Sequence, residues 1–178
     1  MIQPQQASAA WAARVSVLAL TFAGCASLPP EPTTVAGRLS LQVAAHAGTA
    51  ARGFNAAFDL RGDAEIGSLH LSTPLGPQIA VAMWTPGEVW LQSSDGEHRF
   101  TSLAELSIGL LGEDLPLQAL PDWLRGRPWP GAPQMPSGDG FSQIGWQLDL
   151  SRRDQGFITA IRSAPPVVTL RVRLEDAR

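Results

Sequence analysis

Cys25 is the only cysteine among 178 residues, so no internal disulfide can use it and its thiol is left for other chemistry. It directly follows Phe22-Ala23-Gly24, which closes the apolar run 15–23. Small residues at Ala23 and Gly24 let a peptidase approach the backbone, and a thiol at a new N-terminus can be alkylated. The other residues able to do chemistry are few. His46, His70 and His98 are scattered without metal-ligand spacing. Glu113-Asp114 is a carboxylate pair between two helical patterns, where solvation is expected. There is no G-x-S-x-G, H-E-x-x-H, C-x-x-C or Gly-rich phosphate cradle. All 13 cationic side chains are arginine, and the missing lysine excludes a Walker A loop, a Schiff-base enzyme and a Ser-Lys hydrolase. Nothing local suggests an enzyme, although a Ser-His-Asp triad is a spatial arrangement and stays open, and no metal or cofactor is expected.

The stretch around Cys25 looks like a bacterial lipobox, in which the thiol takes a diacylglyceryl group and becomes the mature N-terminus. Phe22 stands where leucine is usual. The apolar run before it spans about nine residues, far short of the roughly 20 that cross a bilayer. A plain secretory signal cleaved at an Ala-rich site fits the same length. Both readings export the chain. They divide it into a signal at 1–24, a proline-rich tether at 25–36 and a domain at 37–178. Loss of the signal removes Arg14 and no acid, taking the formal charge from −3 to −4. A mildly acidic chain lacks the basic stripe of a nucleic-acid binder. The remaining length suits one domain with a core of its own.

Those residues must be positioned by elements, and the pattern after the tether has period two. Leu39, Leu41 and Val43 share one face, and Phe54, Ala56, Phe58 and Leu60 alternate with polar or small neighbours. Leu69 and Leu71 follow. Thr73-Pro74-Leu75-Gly76-Pro77 interrupts the strands, because Pro74 lacks a donor and Gly76 permits unusual backbone angles. Leu75 at its tip either folds back onto the core or meets an apolar partner. Ile79, Val81 and Met83 then alternate with Ala80, Ala82 and Trp84, and Val89 and Leu91 with Trp90 and Gln92. Asp95-Gly96 marks a hairpin. This is an antiparallel meander of about six strands, able to curl into a barrel or half-barrel.

Ser102-Leu103-Ala104-Glu105 is a capping box opening a helix with Leu103, Leu106, Leu110 and Leu111 on one stripe, and Gly112 is a plausible stop. A second short helix is expected from Pro116, limited or kinked by Pro121. Residues 125–140, with four prolines, read as a long surface loop. Strands resume at 141–150, with Ile144, Trp146, Leu148 and Leu150 on one face, and continue at 157–162 and 167–174.

In order and spacing, these stretches resemble the family of the outer-membrane lipoprotein receptor LolB. The likeness runs from Gly37 to about Leu174. It rests on Gly37-Arg38-Leu39-Ser40-Leu41, Phe58-Asp59-Leu60-Arg61-Gly62, Ser72-Thr73-Pro74-Leu75-Gly76, Leu115-Pro116-Leu117, Leu120-Pro121-Asp122-Trp123-Leu124-Arg125-Gly126-Arg127-Pro128 and Phe141-Ser142-Gln143-Ile144-Gly145-Trp146. It implies a mainly β fold with a few helices: an antiparallel, half-open β-barrel covered by short helices, with an apolar cavity between. It also implies an outer-membrane lipoprotein, anchored through Cys25 on the periplasmic face. Such a protein takes lipoproteins from the periplasmic chaperone LolA and inserts them into the inner leaflet, acting as a monomer with phospholipid and acylated lipoproteins as partners. Leu75, flanked by Pro74 and Gly76, matches the tip of the family's membrane-inserting loop. Expected acyl-chain contacts are Leu39, Leu41, Phe54, Phe58, Leu69, Leu71, Val81, Met83, Leu91, Trp123 and Trp146. The alternative is a membrane-tethered lipid- or glycan-binding module outside any trafficking route.

Overall fold

The computed structural model describes residues 34–175; Cys25, the signal and most of the tether lie outside them. Six strands follow one another: β1 (Thr34–Val43), β2 (Arg52–Gly62), β3 (Gly67–Ser72), β4 (Gln78–Thr85), β5 (Glu88–Ser93) and β6 (Gly96–Phe100). Two helices come next, α1 (Leu103–Leu111) and α2 (Leu120–Leu124). Five strands complete the chain: β7 (Gln134–Ser137), β8 (Gly140–Gln143), β9 (Trp146–Asp149), β10 (Phe157–Arg162) and β11 (Val168–Leu174). All eleven form one antiparallel sheet in the order β6-β5-β4-β3-β2-β1-β11-β10-β9-β8-β7. The two halves of the chain meet where β1 pairs β11, Leu39 opposite Val172 and Leu41 opposite Leu170. The fold is thus mostly antiparallel sheet with two short helices, an open half-barrel.

β1 starts within the segment read as tether: Val35 and Ala36 pair Leu60 and Asp59. The outer strands are poor templates for further pairing. β6 carries Glu97, His98 and Arg99, and β7 contains Pro136, which has no ladder donor.

Directly opposed residues point to the same face, so register decides which residues are inside. Leu71 pairs Ala80 and Leu69 pairs Ala82, which puts Ala80, Ala82 and Trp84 in the core. Val81 and Met83, expected in the cavity, therefore point to the opposite face. Both alternations along β4 are apolar, and period two alone could not choose between them.

The inner faces of the strands and the helical segment share one core. Half of the expected capping box forms: Ser102 Oγ accepts from Glu105 N at 3.1 Å, but Glu105 Oε2 reaches past the cap residue and accepts from Thr101 N and Oγ1 at 2.7 Å each. Gly112 ends α1 in the left-handed region at φ 70°. Pro121, however, sits in the first turn of α2 rather than ending it. Its missing N–H has no partner to lose there. The expected long loop also contains β7, joined to β8 through Gly138-Asp139. The strand expected at 141–150 is a hairpin, because Ile144 and Gly145 both have positive φ, 51° and 75°. Ile144 is thereby an exposed turn residue, and Phe141, Gln143, Trp146 and Leu148 face inward.

Candidate apolar cavity and its lid

Residues 103–124 lie across the inner face as a lid. Their apolar side chains have nowhere else to go: Leu106, Leu115, Leu117, Leu120, Trp123 and Leu124 are all buried. Between lid and sheet is a cavity with twelve lining residues, every one apolar. The sheet supplies Leu39, Leu41, Phe54, Leu69, Leu71 and Leu170. The lid supplies Leu111, Leu115, Pro116, Leu117, Leu120 and Trp123. The open space among them is about 20 Å³, roughly room for one water. The lid is shut.

The structure places the expected contacts in four groups. Leu39, Leu41, Phe54, Leu69, Leu71 and Trp123 line this cavity. Phe58 and Trp146 are buried in the core beside it; the Trp146 ring packs 6.2 Å from that of Trp123, centroid to centroid. Leu91 is buried too, but lines a separate hollow with Ile79, Phe100 and Leu110 under α1. Val81 and Met83 are on the far face of the sheet.

Polar grips hold the lid down, and sequence reasoning missed the main one. Glu113 is not solvated but buried, at 8% exposure. Its Oε1 accepts from Arg52 Nη2 and its Oε2 from Arg162 Nη2, both at 2.6 Å. Arg52 begins β2 and Arg162 ends β10, so one carboxylate ties the lid to both halves of the half-barrel. Arg52 also donates to the Gly112 carbonyl. Ser107, fully buried, donates to Ala104 O at 2.9 Å and accepts from Leu115 N at 3.1 Å, folding the linker back onto α1. A lone acidic dipeptide offered no signal for this, because its two partners lie 61 and 49 residues away.

At the other end Gln143, 2% exposed, uses its whole amide. Oε1 accepts from Trp123 Nε1 at 2.8 Å and Trp129 N at 3.0 Å; Nε2 donates to Trp129 O at 2.7 Å and Ala132 O at 2.8 Å. Arg125 adds contacts from Nη1 to Pro121 O and from Nη2 to Gly62 O, at 3.0 and 3.1 Å, fixing α2 to the end of β2.

The Leu75 loop stands apart from the cavity and is built to hold its shape. Thr73 N donates to Pro77 O at 2.8 Å and Gly76 N to Thr73 O at 3.0 Å, leaving Pro74 and Leu75 as the central residues of the turn. Leu75 is 95% exposed, so it does not fold back onto the core.

The class defined by this fold and site is an open antiparallel half-barrel whose apolar interior is roofed by a short helical lid. Comparison with known proteins agrees. The family profile "Outer membrane lipoprotein LolB" matches residues 33–174. The chain is similar to the outer-membrane lipoprotein LolB of Bordetella petrii, at 31% identity over 166 residues covering 83% of each chain. Its counterpart in Chromobacterium violaceum is 31% identical over 148 residues, covering 76% of this chain and 79% of that one. That of Neisseria meningitidis serogroup A is 27% identical over 157 residues, covering 80% and 78%. This chain belongs to the outer-membrane lipoprotein LolB family.

Proposed function

We propose that the protein is held at the periplasmic face of the outer membrane through a diacylglyceryl group on Cys25, accepts lipoproteins from the chaperone LolA, and releases them into the inner leaflet. The observation that carries this reading is the wholly apolar cavity beneath the lid. An acyl chain gains about 0.8 kcal/mol per CH₂ taken out of water, and twelve apolar walls match such a chain. A glycan would find no hydrogen-bond partner among them. That disfavours the glycan-binding alternative.

An acyl chain far exceeds the volume of one water, so acceptance requires the lid to lift. The Leu75 tip serves the later step: an exposed leucine on a rigid turn can enter the bilayer ahead of the cargo. The deciding experiment mixes the purified protein with a chaperone complex carrying a radiolabelled, acylated lipoprotein, with no nucleotide present. Expected is stable movement of label to this protein, followed by loss to added vesicles. Label that stays on the chaperone while circular dichroism shows a folded acceptor would refute the trafficking reading and leave a tethered lipid-binding module.

A further inference from the structure

The outer face of the sheet, opposite the cavity, gathers arginines in one place. Register sets Arg38 opposite Arg173 and Ser40 opposite Arg171 across β1 and β11, and sets Phe157 of β10 opposite Arg173. Leu39 and Leu41 point inward, so Arg38, Arg171 and Arg173 point out, and all three are exposed. Arg152 joins them: its guanidinium carbon lies 4.5 Å from the centre of the Phe157 ring, with that of Arg173 at 5.8 Å. Arg52, Arg61, Arg99, Arg127 and Arg162 each have a carboxylate partner. Among the described residues, Arg38, Arg152, Arg171 and Arg173 form no ion pair, and neither does Arg153, which donates to Arg125 O. Arg171 donates to Gln42 Oε1 at 3.1 Å and Arg152 to Gln155 Oε1 at 3.3 Å, and Arg152 also acts on the Asp149 carboxyl. Glu175 borders a neighbouring hollow with Arg38 and Arg173 but forms no ion pair with either.

Adjacent strands lie about 4.8 Å apart, so these exposed cations share one positive patch that solvent and salt screen. Pro74 and Asn55 line the same depression as Arg38, Arg171 and Arg173, so the cations adjoin the turn that carries Leu75. An apolar tip beside a cationic face is the combination that lays a protein on a membrane: the tip enters, and the cations meet anionic headgroups. Arginine suits that task, since its planar fork grips phosphate with two donors.

We propose that the Arg38, Arg171 and Arg173 face binds the anionic headgroups of phospholipids and turns the Leu75 tip toward the bilayer. The role of Leu75 rests on the function proposed above, but headgroup binding is measured without chaperone or cargo and fails separately from it. The test is flotation of the full chain carrying Cys25→Ala, so that no acyl anchor contributes. The probes are phosphatidylcholine vesicles with and without added phosphatidylglycerol. Phosphatidylglycerol should raise binding, and salt should reverse the gain. At about five-fold per arginine near an anionic surface, the combined variant Arg38→Gln, Arg171→Gln, Arg173→Gln should lose about a hundredfold of that gain. Arg99→Gln, on the edge strand β6, should lose none of it. A folded triple variant that gains from phosphatidylglycerol like its parent overturns the proposal and leaves an acidic protein surface as the partner for this face.

Discussion

Replacing Leu75 by glutamate separates the proposed membrane step from everything else the domain does. At 95% exposure the side chain contributes almost nothing to the core, so folding stability should change by no more than about 0.5 kcal/mol. The turn persists because its two closing hydrogen bonds are between backbone atoms of Thr73, Gly76 and Pro77. Membrane entry is another matter. A leucine moved from water into an apolar region gains about 2 kcal/mol, and a carboxylate forced there loses about 2–3 kcal/mol. Together they amount to roughly 4 kcal/mol, close to a thousandfold at 1.4 kcal/mol per decade. Leu75→Ala forfeits only the first part and should fall about 30-fold. Acceptance of labelled lipoprotein from the chaperone is measured first, then its release into vesicles. Both variants should accept at the parent's level and release in the order leucine, alanine, glutamate. Release by Leu75→Glu at the parent's rate would refute the reasoning. So would unfolding of that variant, which would make Leu75 a core residue.

Two further predictions concern the grip on the lid and the response to acid. Gln143→Leu orphans Trp123 Nε1, the Trp129 amide and two carbonyls, and buried unmet groups of this kind cost about 1–3 kcal/mol each. Urea denaturation should show a loss of at least about 3 kcal/mol, and a loss under 1 would mean that Gln143 does not seat α2. Asp63 accepts from Ile66 N at 3.0 Å and Glu65 N at 2.8 Å, and these amides, with Arg125 nearby, hold its carboxyl below the usual range despite some burial. Its pKa is lowered on folding, so the stabilisation is full above the ordinary value of about 3.9. It fades as pH falls through the lower folded value. Asp63→Asn should flatten the acid limb of a stability-against-pH curve. Identical limbs in parent and variant would contradict that assignment.

Much of the sheet could be read from the chain because β1, β2 and β3 put apolar and polar residues on opposite faces. Leu39, Leu41, Phe58, Leu69 and Leu71 all point inward as the alternation suggests. β4 could not be oriented that way, since Val81 and Met83 are as apolar as Ala82 and Trp84; only pairing with Leu69 and Leu71 decides. The Ile144-Gly145 turn was hidden because a β-branched residue rarely accepts positive φ. Lid contacts were the least legible part. Glu113 meets Arg52 and Arg162, and Trp123 meets Gln143, across distances in sequence that no local pattern spans. The tip of the 73–77 loop was legible, because proline and glycine around one leucine announce a turn whatever the tertiary context.

The near-absence of free space under the lid bears on how cargo is given up. A carrier with a ready-made dry hole would hold an acyl chain at full strength and surrender it reluctantly. Here the leucines of lid and sheet already shield one another, so a guest displaces a host interior instead of filling a vacuum. If the proposed acyl-chain binding holds, apparent affinity would be reduced by the fraction of molecules that stand open, and collapse of the walls would assist the departing chain. Under the function proposed above, such a domain would work as an exchange point: its empty state would compete with its own cargo, and that competition would favour the membrane.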